Sequence, residues 1–252
     1  ISTPSHLHAA QAIAALKAGR MVVCEKPMAT SLAEADAMID ASKGTGNLLT
    51  VFQNRRFAPD FVKVREVIQS GKLGRIVLIK MSSHSFTRRW DWQTLQRFGE
   101  KEPEVICDLQ RTLTLGDAED HVKIILREKD SPVIDIEISH ACAYPQNAWL
   151  VMGTQGGLYG SFSFLRWRYV DPKDLPPRKV DTEPTRDRSY NREDLPWKEK
   201  AWDIGQNIKS GEITFYEELY KTIRHGAVLS VTPESVRRVM WVIEKCCRSC
   251  EV

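Results

Sequence analysis

The stretch Met21-Val22-Val23-Cys24-Glu25-Lys26-Pro27-Met28 decides how this chain is organised. Its four leading apolar residues leave no polar face, which predicts a short buried strand. Pro27 cannot extend a central strand because it has no N–H to donate, and it restricts Lys26 to extended backbone. We therefore expect Glu25 and Lys26 at the carboxyl end of a buried strand, the edge at which open α/β sheets bind ligands.

Two interpretations of Lys26 follow from this position. A partly desolvated lysine at a strand end can have a lowered pKa and can exchange a proton with a ligand. A strand-end lysine can equally be one half of an ion pair with a neighbouring carboxylate, because structural ion pairs are common. The local sequence leaves both interpretations open.

The flanking residues predict a parallel sheet with helical crossovers. Ile1 ends one strand, residues 48–52 form another, and helices are expected over 6–17 and 31–44. The first helix carries apolar residues at 7, 10, 13, 14 and 16, and Ser31 with Glu34 fits a capping box at the start of the second. Right-handed crossovers then place three strand ends at one sheet edge: 3–5, 25–27 and 53–56.

The pattern changes after a third helix, which is expected from Pro59 to about Gly71. Turn signals separate apolar or alternating stretches, which predicts a mostly antiparallel sheet. These stretches span residues 75–83, 105–115, 121–127, 133–144, 149–152 and 158–165. We expect an irregular surface segment over 169–202 and closing helices over 214–224 and from 232 onward.

Composition and charge exclude several classes of function. The 252 residues carry a net charge of +3, which gives no reason to expect nucleic acid or an anionic membrane as partner. No apolar run approaches the ~20 residues that cross a bilayer, and no secretory signal is recognisable at the N-terminus. Six scattered cysteines fit a reducing cytoplasm. Cys247 and Cys250 lack a second Cys/His pair, so we expect no metal site.

With these residues in view, the chain resembles the Gfo/Idh/MocA oxidoreductases. The resemblance rests on the Glu25-Lys26-Pro27 stretch and on residues 3–8, 15–20, 21–29, 54–59 and 71–74. It implies an α/β fold class, with part of a Rossmann doubly wound parallel sheet and a C-terminal α+β domain whose large, mostly antiparallel sheet is open. We place a domain boundary after residue 56. Residues 1–56 form a dinucleotide-binding domain, and residues 57–252 form a substrate-binding and oligomerisation domain.

The resemblance also implies an activity. A family member transfers a hydride between NAD or NADP and a sugar, a polyol or a related alcohol or ketone. Lys26 would be catalytic, contacting the substrate hydroxyl and assisting proton transfer. The residues expected to bind the cofactor are Thr3, Pro4, His8, Glu25, Lys26 and Asn54. The resemblance further implies a homo-oligomer, a dimer or a tetramer, joined through the open sheet.

Two parts of the family pattern are not found in this sequence. The Gly-rich dinucleotide loop is expected upstream of Ile1, and a segment with an active-site histidine is missing between Phe98 and Glu104. A non-catalytic relative that binds a sugar or nucleotide as a sensor or subunit therefore stays an alternative. Arg89 and Trp90 could wall the substrate pocket, or could belong to an aromatic surface at a domain or subunit contact.

Overall fold

The computed structural model describes residues 1–84, 104–175, 177, 194–205 and 209–249. Its helices are α1 (His8–Lys17), α2 (Leu32–Thr45), α3 (Pro59–Gln69), α4 (Gly211–His225) and α5 (Pro233–Ser249). Its strands are β1 (Val22–Cys24), β2 (Leu49–Val51), β3 (Ile76–His84), β4 (Val105–Gln110), β5 (His121–Leu126), β6 (Val133–Ser139), β7 (Trp149–Gly153), β8 (Gly156–Gly160), β9 (Phe164–Tyr169) and β10 (Lys198–Asp203). Short 3₁₀ turns cover Ser5–Leu7, Asn54–Phe57 and Pro172–Asp174.

The first sheet is parallel, as the crossover pattern predicts. β1 pairs with β2 in parallel register, with Val23 opposite Thr50. Ile1 lies along the other side of β1, because its amino group donates to the Val23 carbonyl at 2.7 Å and its carbonyl accepts from Glu25 N at 2.8 Å. β1, within residues 21–28, is therefore the middle of the described part of this sheet.

Helix α2 begins after Ser31, the predicted N-cap, and only the return bond of the capping box differs. The Ser31 hydroxyl accepts from the backbone N–H of Glu34 at 3.1 Å, which satisfies one of the unpaired amides of the first turn. The Glu34 carboxylate accepts from the backbone N–H of Thr30 at 2.9 Å and not from that of Ser31. Gly46 ends the helix with a left-handed φ of 68°, which glycine adopts without strain.

The second sheet has the order β10-β9-β8-β7-β3-β6-β5-β4. Only β3 and β6 pair in parallel, and the other neighbours are antiparallel. The mostly antiparallel sheet is therefore confirmed. The predicted strand over 158–165 is wrong in one respect, because the chain reverses at Ser161, whose side chain accepts from Ser163 N at 3.1 Å. This turn divides the stretch between β8 and β9.

The prediction of an irregular segment over 169–202 is wrong at its end. β10 pairs with β9 at the edge of the sheet, with Trp202 opposite Leu165. Charged residues dominate β10, and charge on an edge strand discourages pairing with other molecules. The same charges weaken the alternating apolar pattern from which a strand is recognised.

The buried residues form two clusters. The first joins α1, β1, α2 and β2 with Phe215 and Leu219 of α4 and Val236 and Met240 of α5. The second joins α3 with β7, β8 and β9. The closing helices therefore return to the parallel sheet at the start of the chain. The domain boundary after residue 56 stays a prediction.

Candidate active site

Backbone hydrogen bonds bring the three predicted strand ends together. The Glu25 N–H donates to the Ile1 carbonyl, and the Phe52 N–H donates to the Cys24 carbonyl, both at 2.8 Å. These bonds align the ends of β1 and β2 with Ile1, which pairs along β1, at one edge. The 3₁₀ turn Asn54–Phe57 follows immediately after the third strand. The polar residues of all three loops therefore lie at one edge of the sheet, the edge at which open α/β sheets bind ligands. We call this edge the crevice.

Lys26 lies at the surface of this crevice. Its backbone N–H donates to its neighbour's carboxylate, Glu25 Oε2, at 3.1 Å, and the following peptide bond to Pro27 is cis. Lys26 is exposed, so the partial desolvation that we expected is not observed. In the part of the chain that the structure describes, no carboxylate pairs with its ammonium group. The role of Lys26 stays a prediction.

His8 lies beneath the crevice. Its imidazole is buried, with 1% of its surface exposed. Nδ1 is 2.9 Å from the Pro27 carbonyl oxygen, and Nε2 is 2.8 Å from the Thr3 carbonyl oxygen. His8 thus joins the loops that follow the first two strands. Its assignment to the cofactor stays a prediction.

Thr3 and Pro4 form the first of the three loops. The Thr3 hydroxyl donates to Gln11 Oε1 at 2.8 Å, and Pro4 is exposed. The Pro4 carbonyl accepts from Leu7 N at 2.9 Å and opens a 3₁₀ turn, so the α-helix begins at His8 and not at the predicted residue 6.

The third loop is fixed by contacts that the sequence does not reveal. Asn54, a predicted cofactor residue, is half-buried, and its Nδ2 lies 3.5 Å from Glu212 Oε1 at the start of α4. Arg55 donates to both carboxylate oxygens of the buried Asp60, at 3.4 and 3.0 Å. Trp149 Nε1 donates to the same carboxylate at 2.9 Å. Asp60 therefore joins the crevice loop to the second sheet, although its position after Pro59 suggests only a charge at a helix start.

The residues at the three strand ends fit a nicotinamide nucleotide. Thr3, Glu25 and Asn54 offer a hydroxyl, a carboxylate and an amide, the groups that hydrogen-bond ribose hydroxyls and a carboxamide. Lys26 adds an exposed cation at the same edge. Among the described residues, no cluster of three His, Cys, Asp or Glu side chains could hold a metal ion. Arg89 and Trp90, the predicted substrate residues, lie outside the described residues.

Comparison with known proteins agrees with this geometry. Residues 1–53 match the family model Gfo/Idh/MocA, described as an oxidoreductase family with an NAD-binding Rossmann fold. An uncharacterised oxidoreductase of Schizosaccharomyces pombe is 37% identical over 101 residues, which are 39% of this chain and 27% of that protein. The scyllo-inositol 2-dehydrogenase (NADP(+)) IolW of Bacillus subtilis is 24% identical over 97% of this chain and 74% of its own length.

The fold is also found among solved structures. An NAD-binding protein from Listeria innocua superposes with a TM-score of 0.77 at 21% identity, covering 99% of this chain and 78% of that one. The chain is thus similar to the Gfo/Idh/MocA oxidoreductases over residues 1–53, and it shares the fold of the Listeria protein. The matched segment spans only about a quarter of the S. pombe relative, so activity, substrate and partners are proposals for this chain.

Proposed function

We propose that the protein containing this chain is an NAD(P)-dependent oxidoreductase that acts on the CH–OH group of a sugar or polyol. The observation that carries this proposal is the exposed Lys26 at the meeting point of three parallel strand ends. The Gfo/Idh/MocA family is NAD-binding, and one relative is named an inositol dehydrogenase. Together, these observations favour reaction at a hydroxyl-bearing carbon of a polyol or sugar.

The roles of the residues follow from their chemistry. When bound, the nicotinamide supplies the carbon that accepts or donates the hydride. The Lys26 side chain hydrogen-bonds the substrate oxygen. As a neutral amine it takes the hydroxyl proton when the alcohol is oxidised, and as an ammonium it returns a proton to the oxygen when the carbonyl is reduced. Thr3, Glu25 and Asn54 hold the ribose and carboxamide of the cofactor, and Pro4 lines the rim of the site. The loops at the crevice exclude water from one side of the substrate and the nicotinamide.

The test compares two exposed lysines. Lys26→Ala removes the cation at the crevice, whereas Lys17→Ala removes one at the far end of α1, before β1 begins. We expect the native protein to bind NADH or NADPH, as measured by fluorescence, and to oxidise scyllo-inositol or another polyol of a panel. Lys26→Ala should reduce kcat by roughly 10²-fold or more, while Lys17→Ala retains turnover.

Three outcomes decide between the candidate functions. Equal turnover by Lys26→Ala and Lys17→Ala would remove Lys26 from the mechanism. Cofactor and polyol binding without turnover by the wild type would favour the non-catalytic sensor or subunit. No binding of either nicotinamide cofactor would exclude the proposal as a whole.

We also propose that copies of the chain associate through the open face of the second sheet. Met152, Tyr159 and Arg168 lie on this face, and the two apolar side chains are 46% and 49% exposed. A broad groove of about 1010 Å³ crosses the same strands. Exposed apolar area of this kind marks association surfaces. We expect the protein to sediment as a dimer or tetramer. Met152→Asp should shift it toward the monomer. Val228→Asp, in an exposed loop, is the control and should leave the oligomeric state unchanged.

A cytoplasmic location is proposed on the basis of the cysteines. No disulfide joins the cysteines in the described part of the chain, which agrees with a reducing compartment. No helix among the described residues is long and apolar enough to cross a membrane. Fractionation of cells that express the native protein tests the location.

A further inference from the structure

The His8 imidazole is a buried link between two loops of the candidate site. It is the first residue of α1, and its ring nitrogens face the carbonyl oxygens of Thr3 and Pro27 at 2.8 and 2.9 Å. A carbonyl oxygen only accepts hydrogen bonds, so each ring nitrogen bonds its carbonyl only when it carries a proton. A neutral imidazole carries one such proton and only an imidazolium carries both, so the two bonds exist together only in the doubly protonated ring. In either form with Nδ1 protonated, that proton ties α1 to the backbone immediately after Lys26.

The Lys26–Pro27 pair depends on this link more than its neighbours do. Glu25 is held in the sheet by its bond to Ile1, and Met28 is fully buried. Lys26 and Pro27, which lie between them, are both exposed. Pro27 has no N–H, so its carbonyl is its only backbone hydrogen-bonding group. Among the described residues, the bond to His8 is the one that fixes this carbonyl to a helix.

We propose that His8 is a positioning residue for Lys26. Its Nδ1–H holds the Pro27 carbonyl and thereby sets where the Lys26 ammonium meets the substrate oxygen. This inference rests on the proposed function. The bond from Nε2–H to the Thr3 carbonyl instead holds the loop that carries Thr3 in place.

Two substitutions separate the two bonds. In His8→Asn the amide nitrogen lies near the position of Nδ1, so the bond to Pro27 is kept and the bond to Thr3 is lost. In His8→Gln the amide nitrogen lies near the position of Nε2, so the opposite bond is kept. Each variant leaves one carbonyl without its partner, and we expect similar losses in the temperature of unfolding. A purely structural role predicts similar kinetics as well.

The positioning role predicts different kinetics. His8→Gln should lower kcat roughly ten-fold or more relative to His8→Asn, because a displacement of about 1 Å at a reacting group can cost 10²-fold. The KM for the cofactor should rise more in His8→Asn, which loses the bond to the Thr3 loop, than in His8→Gln, which keeps it. Equal kcat values for the pair, with Lys26→Ala inactive, would overturn the positioning role and leave the proposed function standing.

Two readouts do not depend on turnover. Labelling of Lys26 by an amine reagent, measured by mass spectrometry against Lys17 in the same molecule, should change in His8→Gln and stay at the wild-type ratio in His8→Asn. Nitrogen NMR of the wild-type imidazole should show a protonated Nδ1. An unchanged labelling ratio in His8→Gln or an unprotonated Nδ1 would overturn the proposal even if the protein proves to have no dehydrogenase activity.

Discussion

Cys24 and Lys26 are two residues apart, yet they have opposite environments. Cys24 is fully buried at the end of β1, whereas Lys26 is exposed at the crevice. In a sheet covered on both faces, the side chains on either side of a strand are buried. The exposure of the side chains therefore changes where the chain leaves the sheet. The sequence predicts this boundary well, because Pro27 marks the end of the strand.

The Cys24 thiol should be unreactive in the folded protein. Burial raises its pKa to about 11, so little of the nucleophilic thiolate is present at neutral pH. Peptide mapping after brief iodoacetamide treatment should find Cys24 unmodified, whereas the half-buried Cys142 reacts. After unfolding in denaturant, both should react. Similar native rates for the two thiols would mean that β1 is more open than described.

The buried residues of α1 show how far the sequence predicts which side chains face the core. The helix is correctly predicted, but its buried face is not, because His8, Ala9, Ala12 and Leu16 face inward while Leu7 remains 37% exposed. Residues 8, 12 and 16 are each four apart, so helical periodicity alone could have placed His8 inward. The resemblance instead led us to expect its side chain at the cofactor site.

At the scale of elements, the crevice is held by close packing between a helix start and a loop. A Cβ added to Gly211, the first residue of α4, would lie 2.5 Å from the Asn54 carbonyl oxygen and 3.1 Å from Ala58 N. Backbone atoms cannot move aside as a flexible side chain can. The start of α4 therefore requires a glycine if the loop that carries Asn54 is to keep its position.

Gly211→Ala should destabilise the protein by about 1–3 kcal/mol, the usual cost of overpacking, and should weaken nicotinamide binding by displacing Asn54. Gly44→Ala is the matched control, since a Cβ there meets nothing within 4 Å inside α2. That variant should gain roughly 0.5–1 kcal/mol, because alanine favours the helix. Denaturant unfolding and cofactor titration measure both. Equal effects of the two substitutions would show that α4 and the loop are not tightly packed.

Sequence patterns identified the elements better than the contacts between them. The helices, the parallel start and the antiparallel continuation follow from periodicity and turn residues. The link from Arg55 through Asp60 to Trp149 spans distant parts of the chain, and no local pattern encodes it. Likewise, charge on β10 concealed an edge strand that only its pairing with β9 reveals.

Across the whole molecule, a charged network lies on one face of the second sheet. The Glu137 carboxylate accepts from Lys123 at 2.9 Å and from His84 at 2.9 Å, and Lys80 lies 3.4 Å away. The Lys123 hydrogen bond is the largest influence on Glu137, and it lowers the pKa to about 2 against the opposing effect of burial. Three strands, β3, β5 and β6, are therefore joined by one carboxylate.

This network predicts an acid-sensitive part of the stability. A carboxyl group whose pKa is lowered on folding stabilises the protein above its unfolded pKa, about 4.5, and this contribution is lost as pH falls toward 2. Glu137→Gln should lower the free energy of unfolding at neutral pH by about 1–3 kcal/mol and flatten its fall over that range. Glu199→Gln, at an exposed site of β10, is the control. Parallel acid profiles for wild type and Glu137→Gln would contradict the network.

We propose that the three loops at the edge of the parallel sheet form the nicotinamide half of a cofactor site. A crystal structure of the native protein with bound NADH or NADPH tests it most directly. We expect the nicotinamide and its ribose beside Thr3, Glu25 and Asn54, with the Lys26 ammonium facing the edge of the ring where a substrate oxygen binds. A nicotinamide bound away from all three loops would contradict the account.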